Sequence, residues 1–436
     1  MSRRALIANG LWVTSKYVVL SASGLVLSLG FAHLSTKEVF GQYQFVLSLL
    51  AILSIFSLPG LNMAALKAIA KNDRRAVLEA ITRSFKSSLL AIPILLGYAT
   101  YLLLHRQTSL GLTVAMAGLL FPFFYAPNTW YVFYEGRLIF RPVAIRTVAA
   151  SLLVTAAVLA ALFFKLNLFW LVFTYLFLSA AFTGYFYWEI RRVIKAAPPS
   201  KGEKGLDVRY GLHVSAQKFA LTLSESLPAL AVGFFLGHQA IASFQVANLF
   251  LGATAGFIGA LAALTLPRLF ADSSATHHQV FWQNLVIGFL AAAGYWLLVR
   301  LAFLRLYGNA YHESYLLALA LVPLPLVVSV RTFLVNYFTA QAKNALIVTV
   351  YAVANGTAFL LFGLTAHHLK FTVAAGLYLY ALNLLLAIPL FIHYLFGLKK
   401  RRILNPDQAK VVKAGRRRLR IAFFPGSASV KTNSKR

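Results

Sequence analysis

Residues 168–209 read LFWLVFTYLFLSAAFTGYFYWEIRRVIKAAPPSKGEKGLDVR. The part from 168 to 189 is an unbroken apolar run, and a helix needs roughly 20 such residues to cross the hydrocarbon core of a bilayer. Arg191, Arg192, Lys195, Lys201 and Lys204 follow, interleaved with Pro198, Pro199, Gly202 and Gly205, and the chain turns apolar again from Gly211. The same alternation runs from end to end. Twelve apolar runs are read, at about 11–33, 40–63, 87–104, 110–134, 144–164, 168–189, 211–236, 240–265, 281–303, 315–338, 344–365 and 371–396. They are continuous rather than period-two, which predicts helices and not a barrel. The fold class is therefore an all-α polytopic membrane protein, with twelve transmembrane helices in two six-helix bundles.

The chain is 60% hydrophobic and 12% charged. Soluble domains average about 25% charged residues, so no soluble core accommodates this composition. It has no cysteine, which excludes disulfides. The first run continues from Arg3 and Arg4 to His33 without a small-residue cleavage site, so it reads as an uncleaved first helix rather than a signal peptide.

The 41 Lys and Arg against 11 Asp and Glu, a net charge of +30, are not spread evenly. The even-numbered gaps hold Lys67, Lys71, Arg74, Arg75, Arg83 and Lys86, then Arg137, Arg141 and Arg146, then the cluster 191–218. The odd-numbered gaps together hold Lys37, Arg106, Lys165, Arg300, Arg305 and Lys370. Basic loops stay cytoplasmic during insertion, which predicts cytoplasmic N and C termini. The cations flank membrane helices, so nucleic acid is not expected as a partner.

The Pro- and Gly-containing segment divides the chain into a first bundle (1–190), a cytoplasmic linker (191–210), a second bundle (211–398) and a basic cytoplasmic tail (399–436) that reads as a segment resting on anionic lipid. A shift of 201 residues aligns Phe40-Gly41-Gln42-Tyr43-Gln44 with Ile241-Ala242-Ser243-Phe244-Gln245, and Lys67 with Arg268. An even number of helices per half gives the parallel-repeat plan of several transporters, with the substrate path between halves.

Ionisable residues inside a span are costly and therefore face a cavity or a partner. Lys16 shares a helical face with Asn9 and Ser23; it is either an interfacial anchor or a cavity cation. Ser215, Lys218, Thr222 and Glu225 form one stripe, and Glu225 is open to two readings: a structural ion pair or a protonatable coupling group. Arg331 lies mid-span, after Pro323 and Pro325, which permit a kink. The aromatic stretch Phe121–Tyr131 is either an interfacial belt or a sugar-stacking surface. There is no GxxxxGK[ST] loop, no metal spacing among the ten histidines (His277-His278 and His367-His368 read as loops) and no catalytic constellation, so neither an enzyme nor a cofactor is expected.

Three short motifs resemble those of the bacterial polysaccharide flippases of the Wzx type. Glu38-Val39-Phe40-Gly41-Gln42-Tyr43 is similar to their E-x-F-G-x-Y turn; Ser57-Leu58-Pro59-Gly60-Leu61-Asn62, followed by Lys67, also fits. Leu236-Gly237-His238-Gln239-Ala240-Ile241-Ala242-Ser243-Phe244 resembles their second-half turn. The sequence departs at Ser224-Glu225-Ser226-Leu227, where relatives often carry aspartate.

The resemblance implies membership of the multidrug/oligosaccharidyl-lipid/polysaccharide exporter superfamily, and a V-shaped pair of bundles in a bacterial inner membrane. It also implies movement of an undecaprenyl-diphosphate-linked oligosaccharide between leaflets, with membrane lipids and polysaccharide polymerase machinery as further partners. A diphosphate needs cations: Lys16, Lys218 and Arg331 in the cavity, and Lys67, Arg146 and Arg268 at the inner mouth, with Glu225 as the coupling residue. An extruder of organic cations and a membrane scaffold that transports nothing are the alternatives. The topology predicts that reporter fusions at Lys201 and after Lys399 are active only as cytoplasmic reporters; a periplasmic signal at either site overturns it.

Overall fold

The computed structural model describes residues 3–196, 205–269, 274–341 and 343–404, leaving aside the side chains of 3–8, 260, 263–268, 274–276 and 397–404. The first half comprises α1 (Arg3–Leu34), α2 (Lys37–Leu53), α3 (Leu61–Ile69), α4 (Ala76–Ser88), α5 (Ala91–Leu104), α6 (Thr108–Tyr125), α7 (Val132–Glu135), α8 (Arg141–Phe163) and α9 (Leu168–Ala196). The second comprises α10 (Val208–Leu236), α11 (His238–Leu269), α12 (Ser274–Tyr307), α13 (His312–Ala320), α14 (Leu324–Ala340), α15 (Asn344–Thr365) and α16 (Phe371–Leu404).

Among the described residues, eleven helices are long and apolar enough to span a membrane. A bent pair, Asn309–Ala320 and Leu324–Ala340, inclined at 54°, makes the twelfth span. The bend falls at Pro323 and Pro325, where proline removes backbone donors and crowds the preceding turn.

Several boundaries differ from the sequence expectation, each for a local reason. The second run is broken: α2 tightens into a 3-10 turn, Ser54–Ser57, and Leu58 adopts a left-handed φ of 50° before Pro59. The third span starts at Ala76, not near 87, because Val77, Ala80, Ile81 and Ser84 give α4 a buried face beside its charges, so Arg83 and Lys86 are helical rather than in a loop. His277 and His278 lie within α12, not a loop. The boundary drawn at 399 falls inside α16, which continues to Leu404.

The ends of the key helices are chemically marked. Thr36 caps α2 by accepting from the Val39 N–H at 3.3 Å, and Asp207 caps α10 by accepting from the Tyr210 N–H at 3.1 Å. Gly237, at φ +88°, turns the chain from α10 into α11.

The halves meet along α2, which packs against both α10 and α11, while α10 also lies on α3. Two glycines make this approach possible. A Cβ on Gly41 would overlap the His238 carbonyl at the start of α11, and one on Gly60 would overlap the Gly211 carbonyl and the Ser215 N–H of α10. On the other side, α1 packs mainly on α8. Its hydrogen bonds to the second half come from near its end: Tyr307 Oη donates to Ser28 Oγ at 3.0 Å, and His33 Nε2 meets the Leu306 carbonyl at 2.7 Å. The half of α1 nearer its start leaves Leu11, Tyr17 and Val18 exposed.

Because the atoms facing Gly60 are backbone and cannot rotate away, Gly60→Ala should lower stability by about 1–3 kcal/mol. Gly97→Ala, where a Cβ meets open space in α5, should be neutral or stabilising. Thermal unfolding of both variants in detergent checks the pair; equal midpoints would remove the close crossing as a constraint.

Candidate functional site: ionisable groups and a cavity inside the bundles

The polar stripe on α10 divides between the two halves. Ser215 Oγ accepts from the Gly60 N–H at 2.9 Å, and Lys218 Nζ donates to the Pro59 carbonyl at 3.1 Å, so this part of α10 is bonded to the first half. Nearly two turns beyond Lys218 the allegiance changes. Asn355 Nδ2 on α15 donates to Ser224 Oγ at 2.7 Å, tying α10 to the second half.

Glu225, next to Ser224, is exposed and lies within electrostatic reach of the Arg331 guanidinium on α14, with the Tyr351 phenol of α15 also near. Among the described residues, Arg331 makes no hydrogen bond and no ion pair within 4.0 Å. Of the two partners considered for Glu225, Arg331 is the one close by; Lys218 is engaged with the Pro59 carbonyl before α3.

The other predicted cations are distributed, not gathered. Lys16 pairs with Glu135 at 3.4 Å, both side chains largely buried at 13% and 18% exposure. Removing one partner of such a pair costs about 3–5 kcal/mol, so Lys16 has a structural duty. Arg146 donates to Glu189 at 2.6 Å and to Tyr134 Oη at 2.8 Å. Lys67 meets Asp207 at 3.8 Å and sits over the Tyr210 ring at 4.7 Å. That pair is half-exposed and contributes roughly 0–1 kcal/mol. The side chain of Arg268 lies outside the described residues. The structure therefore places Arg331 with Glu225 in the second half, Lys16 and Arg146 in the first, and Lys67 and Lys218 on the seam.

Sequence reasoning did not single out the acids that complete these pairs. Glu135 and Glu189 hold Lys16 and Arg146, and two more fasten the linker. Asp73 accepts from the Gly205 N–H at 2.9 Å and Glu79 from the Leu206 N–H at 3.2 Å. The available signal was scarcity: with 11 acids among 41 basic residues, each acid is a valuable partner.

A cavity of about 240 Å³ also lies within the first half, between α1, α6, α8 and α9. Its walls include Phe124 and Trp130 from the aromatic stretch, and hydroxyl groups of α8 and α9.

A family model described as "Polysaccharide biosynthesis protein" matches residues 6–271, more than half of the chain. No curated protein matches the sequence. The fold is that of solved transporters of the MOP superfamily. An inward closed conformation of the lipid II flippase MurJ aligns with a TM-score of 0.66 at 11% identity, covering 89% of this chain and 87% of that one. A MOP superfamily transporter from Pyrococcus furiosus, described by a reversed polarity of its binding pocket, aligns at 0.62 and 12% identity, covering 91% and 95%. An inward-facing multidrug resistance transporter of the MATE family aligns at 0.58 and 12% identity, covering 89% and 96%.

The proximity of Glu225 and Arg331 is open to a double-mutant cycle. Glu225→Gln, Arg331→Met and the double variant should show a coupling of about 0.5–3 kcal/mol in thermal unfolding. Strict additivity would mean that the two charges do not support one another.

Proposed function

We propose, from the premise that the chain belongs to the polysaccharide biosynthesis protein family, that it moves an undecaprenyl-diphosphate-linked oligosaccharide from the inner to the outer leaflet of a bacterial inner membrane. The observation that carries this reading is Arg331. Of the five predicted cargo cations with described side chains, Lys16, Lys67, Arg146 and Lys218 each have an acceptor in the protein, and Arg331 has none within bonding distance among the described residues. A guanidinium offers a forked set of donors suited to a phosphate group. Glu225 beside it partly compensates the charge while no cargo is bound, and yields that role when the diphosphate arrives.

Alternating access then means that the halves rock about their shared seam, exposing Arg331 first to one leaflet and then to the other. The basic end of the molecule, where α1 starts and α16 ends, faces the cytoplasm in this reading, and polymerase machinery would receive the cargo on the opposite side. Extrusion of organic cations fits less well: the one mid-span carboxylate of the α10 stripe sits in the field of an arginine, which repels a cationic cargo.

In vesicles containing a fluorescent undecaprenyl-diphosphate disaccharide, Arg331→Ala should slow translocation by about tenfold or more, equivalent to ~1.4 kcal/mol, with Arg331→Lys recovering part of the rate. Normal rates in the alanine variant at native protein levels would reject the cargo role. With an imposed pH gradient, Glu225→Gln should abolish the gradient response while cargo still binds; an unchanged response removes Glu225 from coupling.

A further inference from the structure

The cavity in the first half is chemically unlike the charged positions above. Thr147, Ser151 and Thr155 recur every fourth residue and line it from one face of α8. Ser179 and Thr183 line it from α9, and Asn128 from the turn after α6. Aromatic rings form the rest of the wall: Phe124, Trp130, Tyr175, Phe182 and Phe186.

The hydroxyls are unusual in what they do not bond. Serine and threonine inside a helix commonly donate back to the carbonyl four residues earlier. Thr82, Thr100, Thr113, Thr332 and Thr365 of this protein do so, as does Thr183 in the cavity. Among the described residues, Thr147, Ser151, Thr155 and Ser179 make no side-chain hydrogen bond, and neither does the Asn128 amide. Five polar groups that line one cavity are thus left with their donors and acceptors uncommitted.

Among the described residues, none that lines the space is charged. The ionic groups adjoining the lining in sequence are paired: Arg146, beside Thr147, with Glu189 at 2.6 Å, and Lys16, one turn before Leu20, with Glu135 at 3.4 Å. An ionic ligand would therefore find no counter-charge. A hydrocarbon chain would leave the hydroxyls unsatisfied in an apolar setting, which is unfavourable. A ligand that satisfies both walls has several hydroxyls at its rim and apolar C–H faces to lay against rings. That is the chemistry of an uncharged pyranose. The volume also fits one ring rather than a chain of them, since it lies below the roughly 300–1,000 Å³ of drug-sized sites.

We infer that the first-half cavity is a binding site for one uncharged sugar ring, held by the hydroxyls of α8 and α9 and stacked on the aromatic wall. That the ring belongs to the glycan of the cargo rests on the proposed function; the site's own chemistry does not. On that reading the two halves divide recognition. Arg331 meets the diphosphate that all such cargoes share, and the first-half cavity meets the sugar in which they differ.

Trp130 provides the readout. Purified wild-type protein is titrated with glucose, galactose, mannose and N-acetylglucosamine while tryptophan fluorescence is recorded, with Trp130→Phe as the control for the other five tryptophans. Binding of undecaprenyl diphosphate with and without an attached neutral disaccharide is then measured in nanodiscs. Two variants perturb the site: Ser151→Leu fills it, and the triple change Ser151→Ala, Thr155→Val, Ser179→Ala removes hydroxyls without adding bulk. Thermal unfolding confirms that each is folded.

The expected result is a saturable Trp130-dependent change with at least one sugar, weakened about tenfold or more in both variants. The sugar-bearing lipid should weaken likewise, and the bare lipid diphosphate should be unaffected. A sugar response without binding of either lipid upholds the site and rejects the cargo reading. No saturable response to any sugar, or equal weakening of sugar-bearing and bare lipid, overturns the proposal and leaves a water-filled cavity only.

Discussion

A lysine or arginine at the middle of a membrane span costs roughly 2.5–3.5 kcal/mol unless something nearby offsets it. The arrangement of this protein follows from meeting that demand with very few acids. Glu135 takes Lys16 and Glu189 takes Arg146, both inside the first half. Lys218 has no carboxylate and uses the carbonyl of Pro59, which is accessible because Leu58 and Pro59 break the helix at that point. The helix break, the seam and the satisfied lysine are therefore one structural fact. Among the predicted cargo cations with described side chains, Arg331 is the one left with only the diffuse influence of Glu225.

The seam has a second consequence for how the halves relate. If the 201-residue shift reflects duplication, α1 corresponds to α10 and α2 to α11. The contacts are not equivalent under that exchange. The α2–α10 side is closed by glycine-mediated backbone crossing and by side-chain bonds, whereas among the described residues α1 is hydrogen-bonded to the second half through Ser28 and His33, near its end. One edge between the halves is thus closed by backbone crossing, and the other is held by hydrogen bonds near the end of α1.

Much of the architecture was legible because membrane spans write themselves in hydropathy. The number of spans and the kink at Pro323 and Pro325 follow from runs and punctuation, whereas the segment 191–210 read as a linker is helical at its described ends, in α9 to Ala196 and in α10 from Val208. Boundaries were less legible where a helix begins amphipathic, as at Ala76, since the charges of α4 mask its buried face. The motif glycines were visible as motifs but not as contacts: only the folded chain puts Gly41 on His238 and Gly60 on Gly211. Partners for Lys16 and Arg146 were illegible for the same reason, because Glu135 lies 119 residues from Lys16. The aromatic stretch 121–131 was ambiguous between belt and stacking surface; Phe124 and Trp130 turn into a cavity while Phe123 remains exposed, so the stretch serves more than one environment.

The linker's attachment bears on what counts as half of this molecule. Asp73 and Glu79 accept backbone N–H groups from residues 205 and 206, and Gly60 and Pro59 are bonded by Ser215 and Lys218. A fragment cut at residue 190 would strip two carboxylates, one backbone amide and one carbonyl of their partners at a single surface. The hydrogen bonds of the first half instead run on into α10, as far as Lys218. In synthesis order, the first six spans are complete in sequence before they are complete in bonding. They reach their finished surface only when the seventh span begins to emerge, which makes that span the closing piece of one bundle as well as the opening piece of the next.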